Sequence, residues 1–175
     1  MAIKALIIGC GNIGALYDLN DPKKVWTHAR AFSRTKGIDF VIADTDEKIL
    51  KKISKQYDVP AVTLTDGFDY SGFDIVSITT PTPTHFGYLQ RLMKQNVPVV
   101  ICEKPVAASV DELNILIQQH DQSASRVLVN YIRRFQPAYS VLKKRLSEIL
   151  KKDSCIGIII KYQRGFLNNG GHAFV

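Results

Sequence analysis

Residues 9–14 read Gly-Cys-Gly-Asn-Ile-Gly, and they follow directly on the apolar run Ala5-Leu6-Ile7-Ile8. Three glycines at this spacing, just past a strand of buried character, suit one task. Gly9 permits a tight turn out of the sheet, Gly11 has no side chain to hold a pyrophosphate off the backbone, and Gly14 lets the next helix pack closely on the strands. The helix N-terminus then presents its free N–H groups and positive dipole end to the phosphates. Gly9, Gly11, Asn12, Ile13 and Gly14 are therefore assigned to a dinucleotide. The competing reading is a merely structural glycine turn. It calls for no acidic residue downstream, and this chain has one.

That residue is Asp44, which closes a second apolar run, Phe40-Val41-Ile42-Ala43. A carboxylate at the end of the second strand accepts hydrogen bonds from the adenosine ribose hydroxyls and repels a 2′-phosphate, so the expected cofactor is NAD in preference to NADP. Asp44 lies 30 residues past Gly14, against about 20 in the usual pattern. The polar stretch Tyr17-Asp18-Leu19-Asn20-Asp21-Pro22-Lys23-Lys24 accounts for the excess. It is read as an insertion between the phosphate turn and a more helical stretch near Ala29 and Phe32.

A chain of 175 residues holds one ordinary α/β domain and little of a second. Its 46% hydrophobic and 22% charged residues suit a soluble, well-cored protein. No apolar run has the length of a membrane span, and no basic leader with a cleavable apolar region opens the chain, so a cytoplasmic location without membrane contact is expected. Cys10, Cys102 and Cys155 are too scattered for a metal site and read as small buried residues. The net charge of +7 raises nucleic acid as a partner. Its lysines and arginines, however, sit on helical faces: Lys48, Lys51, Lys52 and Lys55 on one, Lys143, Lys144, Arg145, Lys151 and Lys152 on another. No aromatic residues interleave them in a stacking pattern. Solvated faces are the better reading, and no nucleic-acid partner is expected.

Along the chain, strand and helix patterns alternate, which predicts a doubly wound, mostly parallel Rossmann-type α/β sheet with helices on both sides. Strands are expected at Lys4–Ile8, Asp39–Ala43, Val59–Val62, Asp74–Ile78, Val97–Cys102 and Arg126–Asn130. A helix from about Asp46 carries Ile49, Leu50, Ile53 and Tyr57 on one face, and another from about Thr84 carries Phe86, Leu89, Leu92 and Met93. Ser109 and Glu112 form a capping box ahead of the stripe Leu113, Leu116 and Ile117. Pro137 suits the first turn of a helix whose buried side is Tyr139, Leu142, Leu146, Ile149 and Leu150. Beyond it, Ile156, Ile158, Ile160 and Tyr162 alternate with Gly157, Ile159, Lys161 and Gln163, the period of a two-faced strand. The expected domains are 1–124, the dinucleotide-binding unit, and 125–175. The second holds the first helix and strand of an incomplete α+β domain. An unpaired strand at 156–163 would seek a partner, in a homo-oligomer or with another chain.

Three further segments fall at the carboxyl ends of strands, where an open parallel sheet places its ligands. They are Thr79-Thr80-Pro81-Thr82-Pro83-Thr84-His85, Glu103-Lys104-Pro105 and Asn130-Tyr131-Ile132-Arg133-Arg134-Phe135-Gln136-Pro137. Two adjacent charges after a buried strand are costly unless they are used or paired, which singles out Lys104 as functional. With the glycine turn, these segments match in order and spacing the Gfo/Idh/MocA family of NAD(P)-dependent oxidoreductases, which includes sugar and inositol dehydrogenases. The chain resembles that family over nearly all of residues 1–150.

The resemblance implies hydride transfer between a nicotinamide cofactor and a hydroxyl-bearing carbon of a small sugar or polyol. Thr80, Pro81 and Glu103 would belong to the cofactor side, with Thr80 and Pro81 near the nicotinamide. Lys104 would bond the reacting oxygen, while Tyr131 and Arg134 would line the substrate, a tie between the two domains being the equal alternative for Arg134. His85 is weighted toward a structural role, beginning a helix and bonding nearby backbone. Trp26 and His28, in the inserted segment, are further candidates for the substrate pocket. The family also carries an Asp-x-x-x-His motif whose histidine is the general acid/base. His172 matches it, but Asn168 stands at the aspartate position, and an amide orients an imidazole without stabilising its charged form. The second domain is expected to be largely missing. A dinucleotide-binding or interaction module without catalysis of its own is therefore the alternative, and an imine or enone reductase of similar fold is a third reading.

Overall fold

The computed structural model describes residues 2–151 of the chain. The expected strand at 156–163, Cys155, Asn168 and His172 lie outside them. The chain divides into two compact units, one ending at Tyr131 and the other beginning at Ile132. The edge strand of the first sheet, at 126–129, thus lies past the expected boundary at 124.

The first unit is one parallel sheet. Its strands are β1 (Ile3–Ile8), β2 (Ile38–Ala43), β3 (Ile75–Ile78), β4 (Val99–Cys102) and β5 (Arg126–Val129), in the order β2-β1-β3-β4-β5. From β1 the chain steps outward to β2, then returns past β1 to build the other half. The direction of winding therefore reverses between β1 and β3, and their carboxyl ends flank the crevice that this topology leaves open. Residues of β1 alternate between two cores, as the two-residue period of a strand requires. Leu6 and Ile8 join Val76, Ile78, Val100 and Cys102 in a core with Leu89, Leu92, Met93 and Leu116. Ala5 and Ile7 join Phe40 and Ile42 in a second core with Ala29, Phe32 and Ile53. Each buried leucine or isoleucine contributes about 1.5–3 kcal/mol.

The helices covering these cores are α1 (His28–Arg34), α2 (Glu47–Tyr57), α3 (His85–Lys94) and α4 (Val110–Asp121). Asp46 caps α2 by accepting from the N–H groups of Lys48 and Ile49. The capping box of α4 forms with one shift: Ser109 accepts from the Glu112 N–H, and Glu112 reaches back to the N–H of Ala108 at 2.8 Å. Of the expected stripe on α4, Leu116 is enclosed while Leu113 and Ile117 are exposed, because the helix leans on α3 rather than lying flat on the strands.

Two expectations for the first unit change. The segment at 59–62 is no strand but a single parallel bridge from Ala61 to Ile42. Pro60 has no N–H to give a ladder, so only its carbonyl and the Val62 N–H bond Ile42. No α-helix follows the glycine turn directly either. A single π-helical turn, Asn12–Leu16, leads instead into the insertion, and the first α-helix starts at His28. Asp18 explains the detour. Its fully buried carboxylate accepts from the N–H groups of Trp26 (2.7 Å) and Thr27 (2.9 Å) and from the Thr27 hydroxyl (2.9 Å). Arg30 donates to the Asp18 carbonyl, and its Nε lies 3.7 Å from the carboxylate. Thr27 in turn caps α1 by accepting the Arg30 N–H. The insertion is thus a loop closed at its neck, and the closure fixes where α1 begins.

The second unit begins with a short 3-10 turn, Ile132–Phe135, and continues in α5 (Pro137–Leu150), with Pro137 in its first turn. Leu142, Ile149 and Leu150, expected on its buried side, are exposed. Among the described residues this unit holds one helix and one turn, and a lone amphipathic helix has nothing of its own to bury against.

Asp18→Ala removes the charge that three donors converge on and leaves Arg30 buried beside an empty neck. The expected loss is about 3 kcal/mol of unfolding free energy in urea denaturation of the full chain. A loss below about 1 kcal/mol would assign the loop's closure to other contacts.

Candidate cofactor and catalytic site

The end of β1 turns sharply because Gly9 takes φ +92, a conformation that side chains oppose. A Cβ there would also stand 2.9 Å from both the backbone nitrogen and Cγ2 of Thr80. Thr79, at the end of β3, clamps the turn from beside it. Its N–H donates to the Ile8 carbonyl at 2.9 Å, and its hydroxyl lies within reach of both the Ile8 and Gly9 carbonyls. Gly14 closes the turn on itself, since a Cβ there would collide with the Gly9 carbonyl oxygen and the Thr79 hydroxyl. The third glycine is therefore required by the turn, not by a helix packing on the sheet. In front of Gly11, by contrast, an added Cβ would meet nothing within 4 Å. The N–H groups that open a helical turn have no partner inside it. This cradle fits a diphosphate.

Asp44 belongs to the same construction. Its Oδ2 accepts the Cys10 N–H at 2.6 Å and its Oδ1 accepts the Asp46 N–H at 2.9 Å. The carboxylate thereby fixes the second residue of the glycine turn. Each oxygen keeps a further lone pair, which suits it to ribose hydroxyls. Burial, with help from Asp44, pushes the Cys10 thiol up to about 12, and burial beside Glu103 does the same for Cys102. Both are inert buried thiols, as the sequence suggested.

The loops after β3 and β4 are joined by His85, which is 1% exposed. Its Nε2 lies 2.8 Å from the Thr80 carbonyl and its Nδ1 lies 2.8 Å from the Pro105 carbonyl. The structural role expected for His85 is therefore specific: it fastens the Thr80-Pro81 loop to the Lys104-Pro105 loop. The Lys104–Pro105 peptide is cis. Thr84 donates its hydroxyl proton to the Pro81 carbonyl, so Thr80 is the donor in the 2.6 Å contact between the two hydroxyls. Lys104 itself is exposed, at the exit of β4.

Glu103 is 8% exposed, and its carboxylate is occupied by protein groups. Oε1 accepts from His28 Nε2 at 3.0 Å and from the Asn130 amide at 2.6 Å, while Oε2 faces the N–H of Lys104 at 3.4 Å. Burial pushes this carboxyl up, but the bonds from His28 and Asn130 and the neighbouring imidazole outweigh it, so Glu103 lies below its ordinary value and is ionised at neutral pH. The other nitrogen of His28 meets Ser77 Oγ at 2.6 Å. An ionised carboxylate only accepts, so Nε2 carries the proton toward Glu103 and Nδ1 is left to Ser77. Ser77, His28 and Glu103 follow the order of a hydrolytic triad, yet Ser77 is fully buried and out of reach of any substrate.

Of the residues singled out in the sequence, the first unit gathers Gly9, Gly11, Asn12, Ile13, Gly14, Asp44, Thr80, Pro81, Glu103 and Lys104 at the carboxyl ends of β1 to β4. Tyr131 follows β5 and is exposed, and Arg134 belongs to the second unit. His28, offered as a pocket residue, is buried and bonded to Glu103. Thr79, Ser77 and Asn130 were assigned no role. The register could have found Thr79, because Ile8 pairs with Ile78 and the next residues on both strands are Gly9 and Thr79. Among the described residues, no group of three His, Cys, Asp or Glu side chains is placed to hold a metal ion, and no helix is long and apolar enough to cross a membrane.

Inositol 2-dehydrogenase 1 of Saccharopolyspora erythraea is 27% identical over 150 residues, which is 83% of this chain and 42% of that protein. An inositol 2-dehydrogenase of Mycolicibacterium smegmatis is 37% identical over 71 residues, 40% of this chain and 20% of that one. The crystal structure of scyllo-inositol dehydrogenase from Lactobacillus casei with bound cofactor NAD(H) and scyllo-inositol superposes with a TM-score of 0.71 at 20% identity. That superposition takes in 87% of this chain and 43% of the other, and it is a likeness of fold. The chain spans less than half the length of each of these relatives. Residues 3–131 match the family described as "Oxidoreductase family, NAD-binding Rossmann fold", and the chain belongs to that Gfo/Idh/MocA family.

Proposed function

We propose that the chain carries the cofactor half of an NAD-dependent dehydrogenase acting on a cyclitol or related sugar polyol, with Lys104 as the residue that handles the substrate proton. The observation that carries this reading is the convergence of the glycine turn, the Thr80-Pro81 loop and Lys104 at neighbouring strand ends, on the side where the winding of the sheet reverses. The substrate class rests on the relatives named as inositol dehydrogenases.

When bound, NAD supplies the acceptor for the hydride. The chain's own residues do the rest. Backbone N–H groups of the glycine turn hold the diphosphate, and Asp44 accepts from the adenosine ribose, which favours NAD over NADP. Lys104 bonds the substrate oxygen and takes its proton as the carbon gives up hydride. His172, with Asn168 four residues before it, is the second candidate for proton transfer, and Tyr131 and Arg134 are the candidates for substrate contact.

Titration calorimetry of the full chain with NAD is expected to give a saturable heat. A flat titration at millimolar NAD overturns the reading at its root. Lys104→Ala is expected to keep NAD affinity within about threefold and to lower NADH formation from cyclitols by about 100-fold or more. Turnover equal to the parent's would remove Lys104 from the chemistry. Asp44→Asn should narrow the preference for NAD over NADP by roughly fivefold or more, measured as a ratio of dissociation constants, because the repelling charge is gone. An unchanged ratio would move the choice of cofactor away from Asp44.

A further inference from the structure

Lys104 sits between two residues that buried histidines hold. On one side His85 takes the Pro105 carbonyl at 2.8 Å; on the other His28 takes the Glu103 carboxylate at 3.0 Å. From this geometry we infer that His28 is a positioning residue, setting the direction of Lys104 through Glu103; the inference rests on the active-site reading of Lys104 given above.

The bonds form a continuous path from the insertion to the reacting lysine. Asp18 accepts from Thr27 and so fixes the start of α1, and His28 is the first residue of that helix. Ser77, buried in β3, binds Nδ1 and leaves Nε2–H pointing at Glu103. Asn130, just past the end of the neighbouring parallel strand β5, donates to the same oxygen at 2.6 Å. The second oxygen faces the backbone N–H of Lys104 itself. A carboxylate 8% exposed has no water shell to rotate in, so these donors fix its position. Without His28, Glu103 loses one of the two donors on Oε1, and the residue that follows it is free to re-aim. A misplacement on the order of 1 Å is enough to disturb a reacting pair by about 100-fold.

Two substitutions separate this role from simple stability. Glutamine places its amide nitrogen near the position of Nε2 and can still donate to Glu103, losing Ser77. Asparagine matches Nδ1 and keeps Ser77, losing Glu103. Each variant gives up one buried hydrogen bond, of similar worth. The readout is acetylation of Lys104 by an amine-reactive reagent, followed by peptide mass spectrometry of the full chain with and without saturating NAD. Calorimetric NAD affinity is measured in parallel.

In the parent protein and in His28→Gln, NAD is expected to slow acetylation of Lys104 by about fivefold or more, because the amine is held against the cofactor. In His28→Asn the protection should fall below about twofold while NAD affinity stays within about threefold. Equal protection in the two variants overturns the role of His28. Absence of protection in the parent, with NAD bound, overturns the placement of Lys104 and this inference with it. Should His28→Asn fail to fold, the paired substitution of His28→Ala with Ser77→Ala carries the test, since it removes the donor to Glu103 and leaves no unpaired hydroxyl behind. Protection is then expected to drop at least about twofold, and unchanged protection overturns the inference.

Discussion

The cofactor end of the sheet depends on how the chain leaves β1. There the backbone must turn within a few residues; Gly9 supplies the conformation, and Thr79 at the tip of the neighbouring strand holds it by bonding the Ile8 and Gly9 carbonyls. Gly9 and Gly14 are the two positions that this clamp leaves no room to widen. Asp44 then completes the fastening from the other neighbour, through the Cys10 N–H. The turn is thus gripped from β2 and β3 together, and a parallel register that pairs β1 with both strands brings the two grips level. A phosphate cradle made of backbone needs this kind of external support, because its own N–H groups must stay unspent.

Much of this was legible in the sequence because it follows from local chemistry. The glycine spacing, the apolar run before it and the carboxylate at the end of β2 each state a requirement of a few consecutive residues. Ser109 and Glu112, or Pro137 at a helix start, are of the same kind. The Glu103-Lys104-Pro105 segment stood out because charges after a buried strand need a reason. Its lysine was read as functional. The structure adds that its glutamate is bound by protein groups, whereas the family resemblance had put it beside the cofactor.

What the sequence concealed lies in contacts between distant residues. Ser77, His28, Glu103 and Asn130 come from β3, α1, β4 and β5, and no spacing links them. Asp18 looked like one more polar residue of an insertion; only its burial reveals three donors turned inward. The segment at 59–62 read as a strand because it is short and apolar, while the missing N–H of Pro60 decided otherwise. The stripe on α5 followed helical period faithfully, but period specifies a face and not what covers it.

The two sealed thiols have a practical consequence. Cys10 lies inside the phosphate turn and Cys102 one residue before Glu103, each fully enclosed. A maleimide cannot meet either sulfur while the turn or the strand end keeps its shape, so alkylation at these positions runs only as fast as the local opening that exposes them. Peptide mapping of the modified cysteines would therefore time, separately and at single-residue detail, how often the diphosphate cradle and the lysine-bearing strand end breathe.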